Sequence, residues 1–159
     1  MKFCPTCGAP LAPREVDGKT RLACTAPPCP FVFWDNPTPV VAAIVELDGS
    51  VLLVRNRSWP EKMFGLVTGF LEKGETPDDA VLREVKEELG LDGELMGFVG
   101  YYSFTAMNQL ILAFHVKASG TPVLGEELVE VRSVIPEKLK PWPFGTGHAV
   151  KDWLEKRQG

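Results

Sequence analysis

The stretch GFLEKGETPDDAVLREVKEELGL, residues 69–91, decides how this chain is read. From Thr76 onward it carries helix signals at both ends. Thr76 suits the N-cap, Pro77 the first helical position, Asp78 and Asp79 the positive end of the helix dipole, and Gly90 the C-terminal cap. The spacing predicts a helix over Pro77–Leu89. At ~100° per residue, Glu84, Glu87 and Glu88 share one sector of the helix, while Val81, Leu82, Val85 and Leu89 share the neighbouring one. One side packs, and the next carries carboxylates.

Three anions within one and a half turns repel one another, at a cost of roughly a few tenths of a kcal/mol per like-charge pair. A hard divalent cation removes that penalty, and carboxylate oxygens at this spacing suit Mg²⁺ or Mn²⁺ with water and phosphate oxygens as the remaining ligands. Arg83 lies one turn before Glu87 and is placed to hold that carboxylate or a neighbour in a fixed rotamer. The plain alternative is a solvated acidic face. The residues upstream of the helix weigh against it.

Gly69, Glu75, Arg83-Glu84-Val85, Glu87-Glu88 and Gly90-Leu91 stand at the spacing of the Nudix box, which this stretch resembles at every defining position. The resemblance implies an α/β fold, a Nudix α/β/α sandwich around a mixed sheet, and a divalent-metal-dependent hydrolase of nucleoside diphosphates linked to another group. It implies metal binding by Glu84, Glu87 and Glu88, often with the Gly69 carbonyl, and orienting roles for Glu75 and Arg83. Relatives place a further glutamate before a later strand, where it reaches the metal cluster or acts as base. Glu127 matches it, with Glu126 as the fallback and loop solvation as the plain alternative; Ser133 stands where the relatives often have an aromatic residue. Which glutamate is the base differs between branches of the family. The chemistry agrees with the resemblance: pyrophosphate hydrolysis needs an activated water and neutralised phosphoryl oxygens, with little covalent help from the protein.

At 159 residues and 45% hydrophobic composition, the chain can build one sizeable core and a small appendage. A net charge of -4, with no Lys/Arg run longer than two, argues against sequence-nonspecific nucleic-acid binding as the main role. No apolar run reaches the ~18 residues of a membrane span, and the opening MKFCPTCG has no signal-peptide core, so the expected compartment is the cytoplasm.

Residues 1–36 differ from the rest: they hold all four cysteines and six of the fourteen prolines. Cys4-x2-Cys7 and Cys24-x4-Cys29 are two pairs separated by sixteen residues, and between them Asp17-Gly18 marks a turn flanked by the strand-like residues 14–16 and 20–23. That is the outline of a zinc ribbon closing on a structural tetrahedral Cys₄ site. A cytosolic setting disfavours the rival reading, two disulfides. The second knuckle, CTAPPC, is longer than the first and carries two prolines. The expected organisation is therefore a ribbon over 1–36 and a Nudix domain over 37–159.

Pro37 and Pro39 read as a linker. Residues 40–47 and 51–55 then form a hairpin about Asp48-Gly49. Trp59 lies in a loop-like stretch, as a lid on the core or a stacking platform for a base. Residues 64–71 lead into the box as a strand, and Gly69-Phe70-Leu71-Glu72 is similar to the Gly-Phe-x-Glu of the NADH-pyrophosphatase branch, which also carries a ribbon. A plant branch acting on FAD and ADP-ribose has the same layout. Residues 94–104 and 109–117 are two further strands; at their junction the NADH-pyrophosphatase signature SQPWPFPxS is replaced by YYSFTAMNQ. Phe104, Met107 and Asn108 are candidates for a base pocket by position. Pro141-Trp142-Pro143-Phe144 looks like part of the signature but lies about forty residues further on, and it reads as coincidence. Residues 128–135 form another strand and 146–157 a terminal helix with Ala149, Val150, Trp153 and Leu154 on one stripe. His115 and His148 belong to no metal or triad pattern and read as structural.

The expected function is Mg²⁺-dependent hydrolysis of the pyrophosphate bond of a small nucleotide, in the order ADP-ribose or FAD, then NADH, releasing a nucleoside monophosphate. The resemblance also admits removal of an NAD cap from RNA, although the acidic balance argues against RNA as the main partner. The alternative is a non-catalytic nucleotide-sensing or partner-binding module that uses the ribbon. Dimerisation is common among the relatives, and Phe31, Phe33 and Trp34 could serve a homodimer or pack within the chain.

Overall fold

Residues 40–45, Val-Val-Ala-Ala-Ile-Val, are apolar without a break, the pattern of a strand covered on both faces. They form the middle of β4 (Thr38–Leu47), and all six are buried. In this computed structural model, which describes all 159 residues, the chain divides into two units, Met1–Asn36 and Pro37–Gly159.

In the larger unit the other strands assemble around β4. They are β5 (Ser50–Asn56), β6 (Val67–Phe70), β7 (Asp92–Phe104), β8 (Gln109–Ser119) and β9 (Leu128–Val134), in the order β7-β8-β4-β5-β9 with β6 also on β4. β4 and β8 run parallel and every other pairing is antiparallel, so the sheet is mixed. Along one edge β4 is shared between two partners: residues 40–43 pair with β6 and residues 45–47 with β5. The period of two along β4 then builds two cores. Val41, Ala43 and Val45 face α1 (Pro77–Leu89) with Val81, Val85 and Leu89. Ala42 and Ile44 face α2 (Gly147–Gln158) with Ala149, Val150 and Trp153. The result is the α/β/α sandwich with a mixed sheet that the sequence predicts.

One expectation is corrected here. Pro39 belongs to β4 rather than to a linker, pairing with Leu110 of β8. A proline is tolerated because it sits at the second residue of the strand, where its missing N–H costs little of the ladder, and its carbonyl accepts from the Leu71 amide at 3.3 Å.

The smaller unit is a three-stranded antiparallel sheet of β1 (Leu11–Val16), β2 (Lys19–Cys24) and β3 (Val32–Phe33). Asp17 and Gly18 both take positive φ, the two-residue turn that matches the twist of its flanking strands. At two residues, β3 is too short to carry a periodicity, so no pattern in the sequence announces it. Arg21 lies over the Trp34 ring, 4.9 Å from its centroid, and donates to the Trp34 carbonyl. No helix of either unit is long and apolar enough to cross a membrane.

Candidate active site

Helix α1 begins and ends where its caps dictate. The Thr76 hydroxyl oxygen accepts from the Asp79 amide at 3.2 Å, and Gly90, in the left-handed region, donates to the Lys86 carbonyl at 2.9 Å. Arg83 is the hub of its polar side. It donates to both carboxylate oxygens of Glu75, to the Phe70 carbonyl at 3.1 Å, to Glu84 Oε1 at 2.7 Å and to Glu87 Oε2 at 3.2 Å. Glu75 in turn accepts from the Glu72 amide at 3.0 Å. This fork ties the loop between β6 and α1 to the helix. It also holds the Glu75 carboxyl below its ordinary range, while hydrogen bonding to Glu75 raises the Arg83 guanidinium further.

Gly69 stands against Glu84. A Cβ at position 69 would lie 1.9 Å from the Glu84 carboxyl carbon, so the carboxylate occupies the space that any side chain there would fill. Glu88, which the helical spacing places on the polar side, is only 9% exposed and is the one buried charged residue of the chain. Burial first, then the negative charges of Glu84, Glu127 and Glu87, push its carboxyl up to about 8. Burial likewise raises Glu84 against the opposing effect of Arg83. Carboxylates gathered around a cation that is already fully engaged are a donor set that fits a hard divalent ion.

The position of Glu127 comes from a docking that local sequence does not announce. The loop after β8 closes on the C-terminal end of α1: the Val123 amide donates to the Leu89 carbonyl and the Gly125 amide to the Glu88 carbonyl, both at 2.8 Å. These are carbonyls a helix end leaves unpaired. The Arg57 amide then donates to the Glu127 carbonyl at 2.8 Å. Glu127 thereby comes near enough for its charge to raise both Glu84 and Glu88. Glu126 faces the same cavity and its carbonyl accepts from Arg57.

These groups line one wall of a cavity of about 880 Å³. The opposite wall includes Trp59, Phe104, Met107, Trp142 and Phe144. Phe104 and Met107 are where their position in the sequence suggests. Asn108 is not on the wall: it takes φ 50° in the β7–β8 turn, and its carbonyl accepts from Thr38. The stretch at 141–144, a coincidence by its distance along the chain, is brought to the cavity, because β7 ends beside the loop that starts α2. Trp59 is half-buried on the cavity wall against Gly65. His115 bonds Glu46 at 2.7 Å and meets Trp153 edge-on, away from the carboxylates, and His148 is exposed.

In the smaller unit the four cysteine sulfurs all lie within 4.8 Å of one another, with Cys4–Cys29 at 3.7 Å and Cys7–Cys24 at 3.4 Å. Four sulfurs at ~2.3 Å around a tetrahedral centre would lie about 3.8 Å apart, so the cluster has the dimensions of a zinc site. The cysteines are free rather than paired as disulfides. The longer second knuckle closes because the Cys29 amide turns back to the Ala26 carbonyl at 2.9 Å. Burial alone would raise the Cys4 thiol, yet the Thr6 and Cys7 amides outweigh it and favour the thiolate, the form that binds metal.

A mixed sheet between two helices, with a glutamate-bearing helix opening onto a ligand-sized cavity, defines the class to which the larger unit belongs. Residues 36–152 match the model of the NUDIX domain, and the chain belongs to the Nudix family. It is 26% identical over 163 residues to the NAD-capped RNA hydrolase NudC of Stutzerimonas stutzeri, covering 99% of this chain and 58% of that protein. It is 25% identical over 126 residues to the NudC of Pseudomonas fluorescens, covering 79% of this chain and 44% of that one. The chain thus spans about half the length of these curated relatives. A NUDIX hydrolase from Nitrosomonas europaea superimposes with a TM-score of 0.83 at 28% identity, over 99% of this chain and 93% of that one.

Proposed function

We propose that this chain is a divalent-metal-dependent pyrophosphohydrolase that cleaves a nucleoside diphosphate derivative and releases a nucleoside monophosphate. The observation that carries this reading is the carboxylate wall of Glu84, Glu87, Glu88 and Glu127, braced by Arg83 and set on a cavity of about 880 Å³. Glu84, Glu87 and Glu88 would hold Mg²⁺ or Mn²⁺, with the Gly69 carbonyl beside them and Glu127 completing the group. Bound there, the metal supplies charge neutralisation at the phosphoryl oxygens and a more acidic water. The chain's own residues do the rest. Arg83 holds Glu84 and Glu87 in fixed rotamers, Glu75 holds Arg83, and one carboxylate of the group accepts the proton of the water that attacks phosphorus as the P–O–P bond opens. Cys4, Cys7, Cys24 and Cys29 bind one structural Zn²⁺, and their reduced state suits the cytosol.

The test is product analysis with Mg²⁺ or Mn²⁺ against ADP-ribose, FAD, NADH, NAD⁺ and an NAD-capped RNA. The capped RNA is included because the curated relatives carry that activity in their names. Metal-dependent release of AMP or of 5′-monophosphate RNA supports the reading and identifies the substrate class. No turnover of any of them favours the sensing module.

Two substitutions probe the geometry. Gly69→Ala is expected to abolish most activity with folding intact, because the new methyl overlaps the Glu84 carboxylate; activity near that of the wild type would remove Glu84 from the site. Arg83→Lys keeps the charge and loses the fork. It is expected to weaken Mn²⁺ binding by about 10–100-fold, the range for partners that orient metal ligands. Unchanged Mn²⁺ affinity by calorimetry would show that the fork does not order the glutamates.

A further inference from the structure

The cavity has two chemically different walls, and the hydrolase reading uses only one. The other gathers large apolar side chains left uncovered: Phe144 is 43% exposed, Met107 58% and Phe70 61%. Single exposed apolar residues are ordinary on a protein surface, but several converging on one concavity mark a ligand surface. Phe104 and Phe144 have ring centroids 6.3 Å apart with 35° between planes, an aromatic contact that joins them into one platform. The charged residues of the cavity lie elsewhere, at Glu72, on α1 and at Glu126 and Glu127.

The loop that carries Trp142 and Phe144 is built to hold still. Pro141 and Pro143 fix their own φ angles. Gly145, at φ 52°, lets the backbone lie on Phe104: a Cβ there would sit 3.0 Å from the ring carbon Cε1. Gly147 opens α2 with the Trp142 carbonyl where its side chain would be, 1.8 Å from the Cβ position. A platform ordered before ligand arrives loses little freedom on binding.

We propose that residues 141–145, with Phe104, form the subsite that stacks the nucleobase of the substrate, so that the loop before α2 selects the nucleoside half of the molecule. An uncharged planar ring finds π surface at this end, whereas a second phosphate or a carboxylate finds no cation to meet it. Base–aromatic stacking tolerates different bases, since each has a π face, so the subsite distinguishes a nucleotide from a sugar phosphate more than one base from another. This assignment rests on the hydrolase reading only for the bond that is cleaved.

The experiment is calorimetric titration of the full chain with AMP and with ribose 5-phosphate, each with Mg²⁺, for the wild type, Phe144→Ala and Phe144→Tyr. The wild type is expected to bind AMP tighter than ribose 5-phosphate by about tenfold or more, the scale of one stacked base. Phe144→Ala is expected to lose that margin and Phe144→Tyr to restore it, with unfolding temperatures close to that of the wild type. On a substrate that is turned over, Phe144→Ala is expected to raise KM more than it lowers kcat. Equal affinity of the wild type for the two ligands, or unchanged AMP affinity in a folded Phe144→Ala, overturns the proposal. Base-dependent binding without turnover supports the subsite while sinking the hydrolase reading.

Discussion

Glu87→Gln is expected to reduce metal-dependent turnover by more than about 100-fold, beyond the loss typical of an outer-shell partner, and to leave stability within about 0.5 kcal/mol. The two effects separate because of where the side chain sits. Glu87 is 59% exposed and its ion-pair partner is Arg83, at 3.2 Å. The amide has nearly the same shape, so packing is conserved, but a negative charge that would face the metal is gone. Steady-state kinetics paired with a denaturant melt tests both halves. Full activity, or a protein that no longer folds, would remove Glu87 from the metal-binding group.

Removal of zinc is expected to unfold residues 1–36 selectively. A unit of this size buries too little surface to be stable alone, and structural zinc in small modules contributes on the order of 10–16 kcal/mol. The purified chain should carry one zinc. After strong chelation, or in Cys4→Ser, protease should cut within residues 1–36 while residues 37–159 stay resistant. Cys4 is the sensitive choice because its sulfur is buried and sits 3.7 Å from that of Cys29. A metal-free chain whose first unit resists protease would mean that the cysteines hold the sheet without an ion. Turnover is expected to persist in Cys4→Ser, since the carboxylates all belong to the second unit.

Much of the site is legible in the amino-acid sequence because the information is local. Thr76, Pro77 and Gly90 bound α1 through hydrogen bonds within one turn of themselves, and the same spacing sets Arg83 beside Glu84 and Glu87. The Asp17-Gly18 and Asp48-Gly49 hairpins follow from a two-residue turn. Where local pattern falls short, the decisive partner is distant along the chain. Periodicity puts Glu88 among solvated carboxylates; the loop at 121–127, folding back on the end of α1, helps to bury it. Pro39 has the character of a linker residue because proline interrupts strands, and its pairing with Leu110 depends on a parallel strand some seventy residues away.

The sequence by itself determined the family, the metal-suited helix and the four-cysteine unit. Each is a pattern of side chains at fixed short spacing, and backbone geometry converts such spacing directly into proximity. Only the tertiary structure decided which residues face those carboxylates across the cavity. Trp142 and Phe144 lie about forty residues from Phe104 along the chain, yet the sheet order and the docking of α2 put them on one wall. Contacts of that kind depend on how whole elements pack, and no local spacing encodes them.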